Sequence, residues 1–272
     1  VRTTTAPASP SAARGLVLAA HPGPALAVTV LSGLLAAAQD LEPSLAVLVV
    51  AAVLAGQLTV GWSNDLVDVA RDRQVHRADK PLATGAVSVP TVRLACIGAV
   101  VLCIVLSMGL GVAAGAVNLL CVASAWAYNL GLKSTAWSWV PYAVSFGALP
   151  AIVTLADGQA PPWWWPVGAA LLGVAAHLLN VLPDLADDAA TGVRGLPHHL
   201  GPRRLPPVAA AVLVAASAVV LLGAGAPLLV SAAVGAVVLM LAAVVVVGPG
   251  RVPFVCAIVI ALGDATLLVV AR

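Results

Sequence analysis

Long apolar runs alternate with short polar breaks along almost the whole chain, and nine of the runs reach the roughly 20 residues a helix needs to cross a bilayer. They fall at approximately 17–38, 44–66, 91–111, 114–131, 137–156, 164–183, 206–224, 226–247 and 251–271. Valine stretches such as Val244–Val247 would suit strands in water. In lipid, unbroken apolarity reads as helix, because a membrane-barrel strand alternates between its two faces. The pattern predicts an all-α, polytopic membrane protein. Residues 1–15, rich in Thr, Ala, Ser and Pro, predict a disordered tail, and 16–272 a single transmembrane domain. The first run is too long for the apolar part of a signal peptide and reads as a retained helix. The chain opens on Val1, which reads as a missing initiator or an alternative start.

Composition strengthens this picture. Hydrophobic residues make up 61% of the chain and charged ones 9%, with a mean hydropathy of +1.06. No water-soluble fold could bury so much Ala, Val and Leu, and a disordered chain would be far more polar. A net charge of +2 is too small to imply nucleic acid. With nine spans and the N-terminus inside, Arg2, Arg14, Arg71, Arg73, Arg77, Lys80, Arg93, Lys133, Arg194, Arg203, Arg204 and Arg251 all fall on inner segments, and Arg272 alone falls outside. Outer turns carry Asp40, Glu42 and Asp157 with an aromatic belt at Trp163–Trp165. The positive-inside rule therefore puts the N-terminus in the cytoplasm and the C-terminus outside. Cys96, Cys103, Cys121 and Cys256 lie within apolar runs without CxxC spacing and read as small buried hydrophobes.

The acids are more informative. Seven of the 11 lie in two clusters, Asp65, Asp68, Asp72 and Asp79, then Asp184, Asp187 and Asp188, each at the inner end of a span. An ionised group in the membrane is expensive, and clustered like charges repel, so a divalent cation is the expected compensation. Asn64, Asp68 and Asp72 form NxxxDxxxD, and Asn180, Asp184 and Asp188 repeat it 116 residues later. Helical spacing puts each set on one face within an arc of about 100°. The copies fall on spans that point the same way, which predicts a parallel four-helix pseudo-repeat with two columns facing a central cavity. All-oxygen ligation suits Mg²⁺, which leaves positions for phosphate oxygens and water. Zinc would want Cys or a His pair.

Bases follow each column. Arg77, Lys80 and Arg194 lie close to the acids, and Lys133 sits beside Tyr128 and Asn129 at the inner end of the fourth span. A phosphate or diphosphate bridged by Mg²⁺ and held by Lys and Arg is the natural guest. His177 shares the second column's face one turn deeper, whereas His198 and His199 read as solvated loop residues. Pro183 removes a backbone donor inside the second motif and predicts a kink there.

These residues resemble the UbiA superfamily of intramembrane prenyltransferases, in Asn64-Asp65-x-x-Asp68-x-x-x-Asp72 with its RADKPLATG sequel, and in Asp184-x-x-x-Asp188 with Gly192 following. The resemblance covers essentially the whole chain. It implies nine helices, Mg²⁺ ligation by Asn64, Asp68, Asp72, Asp184 and Asp188, and diphosphate contacts from Lys80, Lys133 and Arg77; the spacing adds Asn180 to the ligands, and position beside the acids adds Tyr128 and Arg194 to the diphosphate contacts. Two departures stand out. Tyr128 and Lys133 are five apart where the family has Tyr-x-x-x-Lys, and His21-Pro22 replaces the family's Arg-Pro ahead of the first helix.

The implied reaction ionises an allylic prenyl diphosphate and passes the cation to a small-molecule acceptor, an aromatic one in the commonest members. Asp65, Asp187 and His177 are the candidates for removing the proton. A terpene-cyclase route without acceptor would want aromatic cavity walls, for which Trp62, Trp126, Tyr128, Trp137, Trp139, Tyr142 and Phe146 are available. Sugar or glycerol phosphate acceptors are a further alternative. A transporter is disfavoured because the outer half of the bundle is expected to hold no acid. A CDP-alcohol phosphotransferase is disfavoured because its DG-x-x-AR signature is missing.

Overall fold

A computed structural model describes residues 12–270. Residues 1–11, most of the expected tail, and residues 271–272, which include Arg272 and the end of the ninth expected run, lie outside the described residues. Every element described is helical: α1 (Ala12–Ala19), α2 (Pro22–Ala38), α3 (Pro43–Gln74), α4 (Pro81–Thr84), α5 (Val89–Gly109), α6 (Val112–Leu130), α7 (Val140–Ala156), α8 (Trp164–Val181), α9 (Leu185–Ala190), α10 (Leu196–Ala224), α11 (Leu228–Val247) and α12 (Val252–Val270). The last residues of the expected tail, 12–15, already belong to α1.

Local sequence explains where helices break. In His21-Pro22-Gly23-Pro24 a proline disfavours helical geometry in the residue before it. His21 takes a left-handed conformation, φ 52° and ψ 62°, and α1 and α2 meet at 60°, so the first expected span is broken. α3 instead runs unbroken for 32 residues from a capped start, where the Glu42 carboxylate accepts from Ser44 N–H and Leu45 N–H. At 1.5 Å per residue it is about 48 Å long, well beyond a hydrocarbon core of about 30 Å. α8 stops at Val181, and a 3₁₀ turn over Leu182–Asp184 leads into α9. Pro183 accounts for the break, so the second motif is not one continuous helical column. Gly201, at φ 73°, separates the first turns of α10 from its long apolar part.

The protein is an integral membrane protein of the all-α class. Among the described residues α3, α5, α6, α8 through α9, α10, α11 and α12 are each long and apolar enough to cross a bilayer, and the bent α1–α2 pair adds an eighth if its two helices count as one span. α7, at 17 residues and with Pro150 inside it, corresponds to the remaining expected run. Its length of about 25 Å falls short of the hydrocarbon thickness.

α2, α3, α6, α7, α8 and α12 enclose a cavity of about 620 Å³. Two apolar cores flank it, one where α8 meets α10–α12 and one where α2, α3, α6 and α7 meet. Packing order repeats between the halves: α2 on α3, α3 on α5 and α5 on α6, then α7 on α8, α8 on α10 and α10 on α11. α12 closes the ring against α2 and α8. α5 and α11 turn large apolar side chains outward, among them Leu94, Val105, Leu239 and Val247. The four cysteines are buried and free, as expected.

The α1–α2 break is held against α3 at Gly61, where an added Cβ would fall on the Ala20 carbonyl. Gly98 in α5 has nothing within 4 Å of that position. Gly61→Ala should therefore cost about 1–3 kcal/mol through forced backbone displacement. Gly98→Ala should leave stability unchanged or raise it slightly. Thermal unfolding in detergent reads both variants.

Candidate active site

One end of the cavity is charged. The α3 side is built around Asp68, whose side chain is 7% exposed. Lys133 Nζ, on the 3₁₀ turn after α6, donates to both Asp68 oxygens at 2.6 Å, and Arg71 Nη2 donates to Oδ2 at 2.9 Å. An unpaired buried carboxylate would cost several kcal/mol, so these two cations are what allow Asp68 to sit there. Asn64 Nδ2 adds longer contacts to Asp68 Oδ2 at 3.4 Å and Asn129 Oδ1 at 3.3 Å. Asp72 also borders the cavity, with Oδ1 3.9 Å from Arg71 Nε.

Asp65 does not border the cavity. Its side chain is 1% exposed, and Oδ1 lies 2.7 Å from Lys80 Nζ and 2.8 Å from His21 Nε2. Lys80 Nζ is also 3.1 Å from His21 Nε2. That nitrogen cannot both donate to Asp65 and accept from Lys80; the shorter contact to a carboxylate assigns the proton to Nε2. Asp65 Oδ2 is buried without a hydrogen-bond partner among the described residues.

Asn180, Asp184 and Asp188 border the cavity from the α8–α9 side. Arg77 reaches across to them. Its Nε and Nη2 donate to Asp79 at 2.8 and 2.9 Å, and Nη1 lies 3.4 Å from Asp184 Oδ1. The paired hydrogen bonds from Arg77 hold the Asp79 carboxyl down to about 2. They also push the guanidinium above its ordinary range.

Further in, rings line the wall. Tyr128, Tyr142 and His177 have centroids 4.8–5.6 Å apart, and Phe146 stacks on Tyr142 at 6.4 Å. Ser138 Oγ accepts from Leu196 N–H at 2.9 Å and lies 3.0 Å from His177 Nε2, which pins the imidazole. Beyond the rings the lining is Val, Leu, Ile and Ala from all six helices.

The structure thus gathers Asn64, Asp68, Asp72, Arg77, Lys80, Tyr128, Lys133, His177, Asn180, Asp184 and Asp188 around one cavity. Asp187 and Arg194 are exposed and outside its lining. Arg71, Arg251, His198 and His21, the last noted only as a departure from the family pattern, join the lining without having been named as site residues. His198 is not a solvated loop residue: Nδ1 accepts from Gly195 N–H at 3.2 Å and Nε2 is buried without a partner among the described residues. Arg71 was legible as the i,i+3 partner of Asp68. An acid missing from the sequence reading is Asp264, 2% exposed in α12 and distant from the charged end. The half of the bundle away from the charged end is therefore not free of acid.

No three His, Cys, Asp or Glu side chains among the described residues form a ready cage for a metal. The donors are carboxylate and amide oxygens on two sides of a cavity. They fit a hard cation such as Mg²⁺, which takes one or two carboxylates per ion and completes its shell with phosphate oxygens and water.

A sequence profile of the UbiA prenyltransferase family matches residues 25–252. The chain belongs to this family. It is a prenyltransferase by that membership, and its fold is that of solved UbiA homologues. A UbiA homologue from Aeropyrum pernix K1 is similar at 19% identity with a TM-score of 0.75, covering 90% of this chain and 96% of the other. One from Archaeoglobus fulgidus, solved with GPP and Mg²⁺, is similar at 13% identity and a TM-score of 0.70, over 94% and 99%. A digeranylgeranylglyceryl phosphate synthase is similar at 14% identity and a TM-score of 0.63, over 95% and 96%. A search of curated proteins found no match.

The Arg77–Asp79 pair gives a pH prediction. Because the Asp79 value is lowered in the fold, the pair contributes fully above the ordinary carboxylate range near 4 and is lost as pH falls through about 2. Arg77→Gln should return the Asp79 titration to the ordinary range, as read by carbon NMR of the labelled carboxyl.

Proposed function

We propose that the chain ionises an allylic prenyl diphosphate at the charged end of its cavity and transfers the prenyl group to an aromatic acceptor. The observation that carries this is the convergence of two acid clusters and four cations, Arg71, Arg77, Lys80 and Lys133, on one end of an otherwise apolar cavity. Relatives solved with GPP or DMAPP and Mg²⁺ support it. Asn64, Asp68, Asp72, Asn180, Asp184 and Asp188 would hold Mg²⁺, which when bound neutralises charge developing on the diphosphate. Lys133, Arg71 and Lys80 hold diphosphate oxygens as the allylic C–O bond breaks, and Arg77 closes over them from the loop after α3. Arg194, at the surface, contributes only to the local field. Tyr128, Tyr142 and Phe146 turn ring faces and edges toward the chain next to that bond and stabilise the cation. The apolar walls keep water from it.

The acceptor's proton goes to His21, which borders the cavity and is oriented by Asp65 through Nε2. Asp65 then acts through the imidazole. His177 keeps the aromatic wall in place, and Asp187 has no part in the chemistry. Cyclisation without acceptor is less well served, because Trp62, Trp126, Trp137 and Trp139 are absent from the cavity lining. By the positive-inside rule the charged end, crowded with Arg and Lys, faces the cytoplasm.

Purified protein in detergent with Mg²⁺ should release diphosphate from an allylic prenyl diphosphate. Asp68→Ala and Asp184→Ala should lower that rate by about a hundredfold or more, whereas Asp187→Ala should retain it. Unchanged release in the first two variants sinks the site assignment. Product analysis with no acceptor, a phenol or a glycerol phosphate separates cyclisation from the two kinds of transfer.

A further inference from the structure

Among the described residues, five Lys and Arg side chains line the large cavity, and four of them are already paired. Arg71 and Lys133 hold Asp68, Lys80 holds Asp65, and Arg77 holds Asp79 and reaches Asp184. The fifth, Arg251, stands in the connection between α11 and α12. Its guanidinium makes no hydrogen bond or ion pair among the described residues. Arg251 is exposed, so a solute at the cavity mouth can reach it.

The helix that follows gives Arg251 no acid nearby. The one carboxylate of α12, Asp264, lies about 20 Å further along the axis at 1.5 Å per residue, where Ser217 Oγ donates to it. Val255 N–H donates to the Arg251 carbonyl, which joins Arg251 to the first turn of α12. Phe254, in that same turn, lines the cavity with Arg251, and the lining of α12 continues as Ala257, Ile258, Ala261 and Leu262. Short connections after α10 and α11 reverse the chain twice, so α12 starts at the same end as α10, whose His198 borders the cavity. α12 packs on α2, which begins after His21 at that end.

A free arginine beside an aromatic ring and an apolar wall fits an anion carried on an apolar body. Its planar fork takes a carboxylate or a phosphate through two parallel hydrogen bonds. The diphosphate has its own cations on and around α3, and no acid of the site pairs with Arg251 to share a Mg²⁺ with it. We infer that Arg251 and Phe254 form an anion-reading acceptor subsite, so that the acceptor bears a carboxylate or phosphate beside the part that is prenylated. This rests on prenyl transfer as proposed above, and adds to it the charge of the acceptor and the residue that selects it. Arg251 would decide which acceptors bind, not how fast the C–O bond breaks.

The test measures transfer from geranyl diphosphate, with Mg²⁺ in detergent, to two pairs of acceptors: para-hydroxybenzoate and its uncharged amide, and glycerol phosphate and glycerol. Wild type should prefer the charged member of one pair by about tenfold in kcat/KM, the worth of one charge-assisted hydrogen bond. Preference within the first pair identifies an aromatic acid, and within the second a glycerol phosphate. In Arg251→Gln the preference should vanish through a higher acceptor KM. Arg251→Lys should keep part of it, since the charge remains and the fork is lost. Equilibrium dialysis of each labelled anion, with Mg²⁺ and inorganic diphosphate but no prenyl chain, reads the subsite without turnover; binding of one anion should weaken about tenfold in Arg251→Gln. Equal rates within both pairs in wild type, or anion binding that Arg251→Gln leaves unchanged, overturn the subsite. A rise in donor KM in place of acceptor KM makes Arg251 a diphosphate contact and overturns it too. Failure of wild type to release diphosphate, while anion binding still depends on Arg251, overturns the proposed function instead.

Discussion

A carboxylate in a low-dielectric setting must be met by a cation or by hydrogen bonds, and the charged end of this bundle is organised by that requirement. Asp68 ties the end of α6 to α3 through Lys133. Asp65 ties the segment leading into α4 and the α1–α2 break to the same helix through Lys80 and His21. Arg77 carries the loop after α3 across to Asp184. In each case an acid on α3 or at the Pro183 turn captures a base from one of the connections between the long helices. The connections around the cavity therefore owe their positions mainly to ionic contacts with α3 and with the turn between α8 and α9. A single acid-to-alanine change there would loosen a connection as well as removing a charge from the site.

The two motif copies share their spacing but not their mechanics. The α3 copy stands on an unbroken 32-residue helix. In the other copy the residues are divided among α8, a 3₁₀ turn and α9. A continuous helix holds its side chains at fixed mutual offsets, whereas a turn between two helices admits small rotations of one against the other. One wall of the site is stiff and the other is jointed at Pro183.

Helix type and approximate extent were legible because lipid demands long apolar runs and nothing else in the chain resembles them. The first motif was legible because α3 keeps a regular helical period through Asn64, Asp68 and Asp72. The second was recognised by its spacing, but its geometry was not, since Pro183 replaces that period with a tighter turn. His21 was missed as a site residue because its role depends on a left-handed bend that carries it to Asp65, 44 positions away. Asp264 was invisible for another reason: a lone acid inside an apolar run has no spacing pattern, and only its packing against Ser217 shows that it is buried. Long-range pairing of single polar residues leaves no trace in local periodicity.

The length of α3 has a consequence for how the two products part. At about 48 Å, α3 outreaches a hydrocarbon core of about 30 Å, and its C-terminal turns carry Asp68, Arg71 and Asp72. If those turns reach the aqueous boundary, the diphosphate of the proposed reaction would form beside water and could depart without crossing lipid. The prenylated product would have the opposite solubility, with its tail held among the apolar walls of the cavity. One reaction would thus discharge into two phases, with the membrane surface acting as the separator.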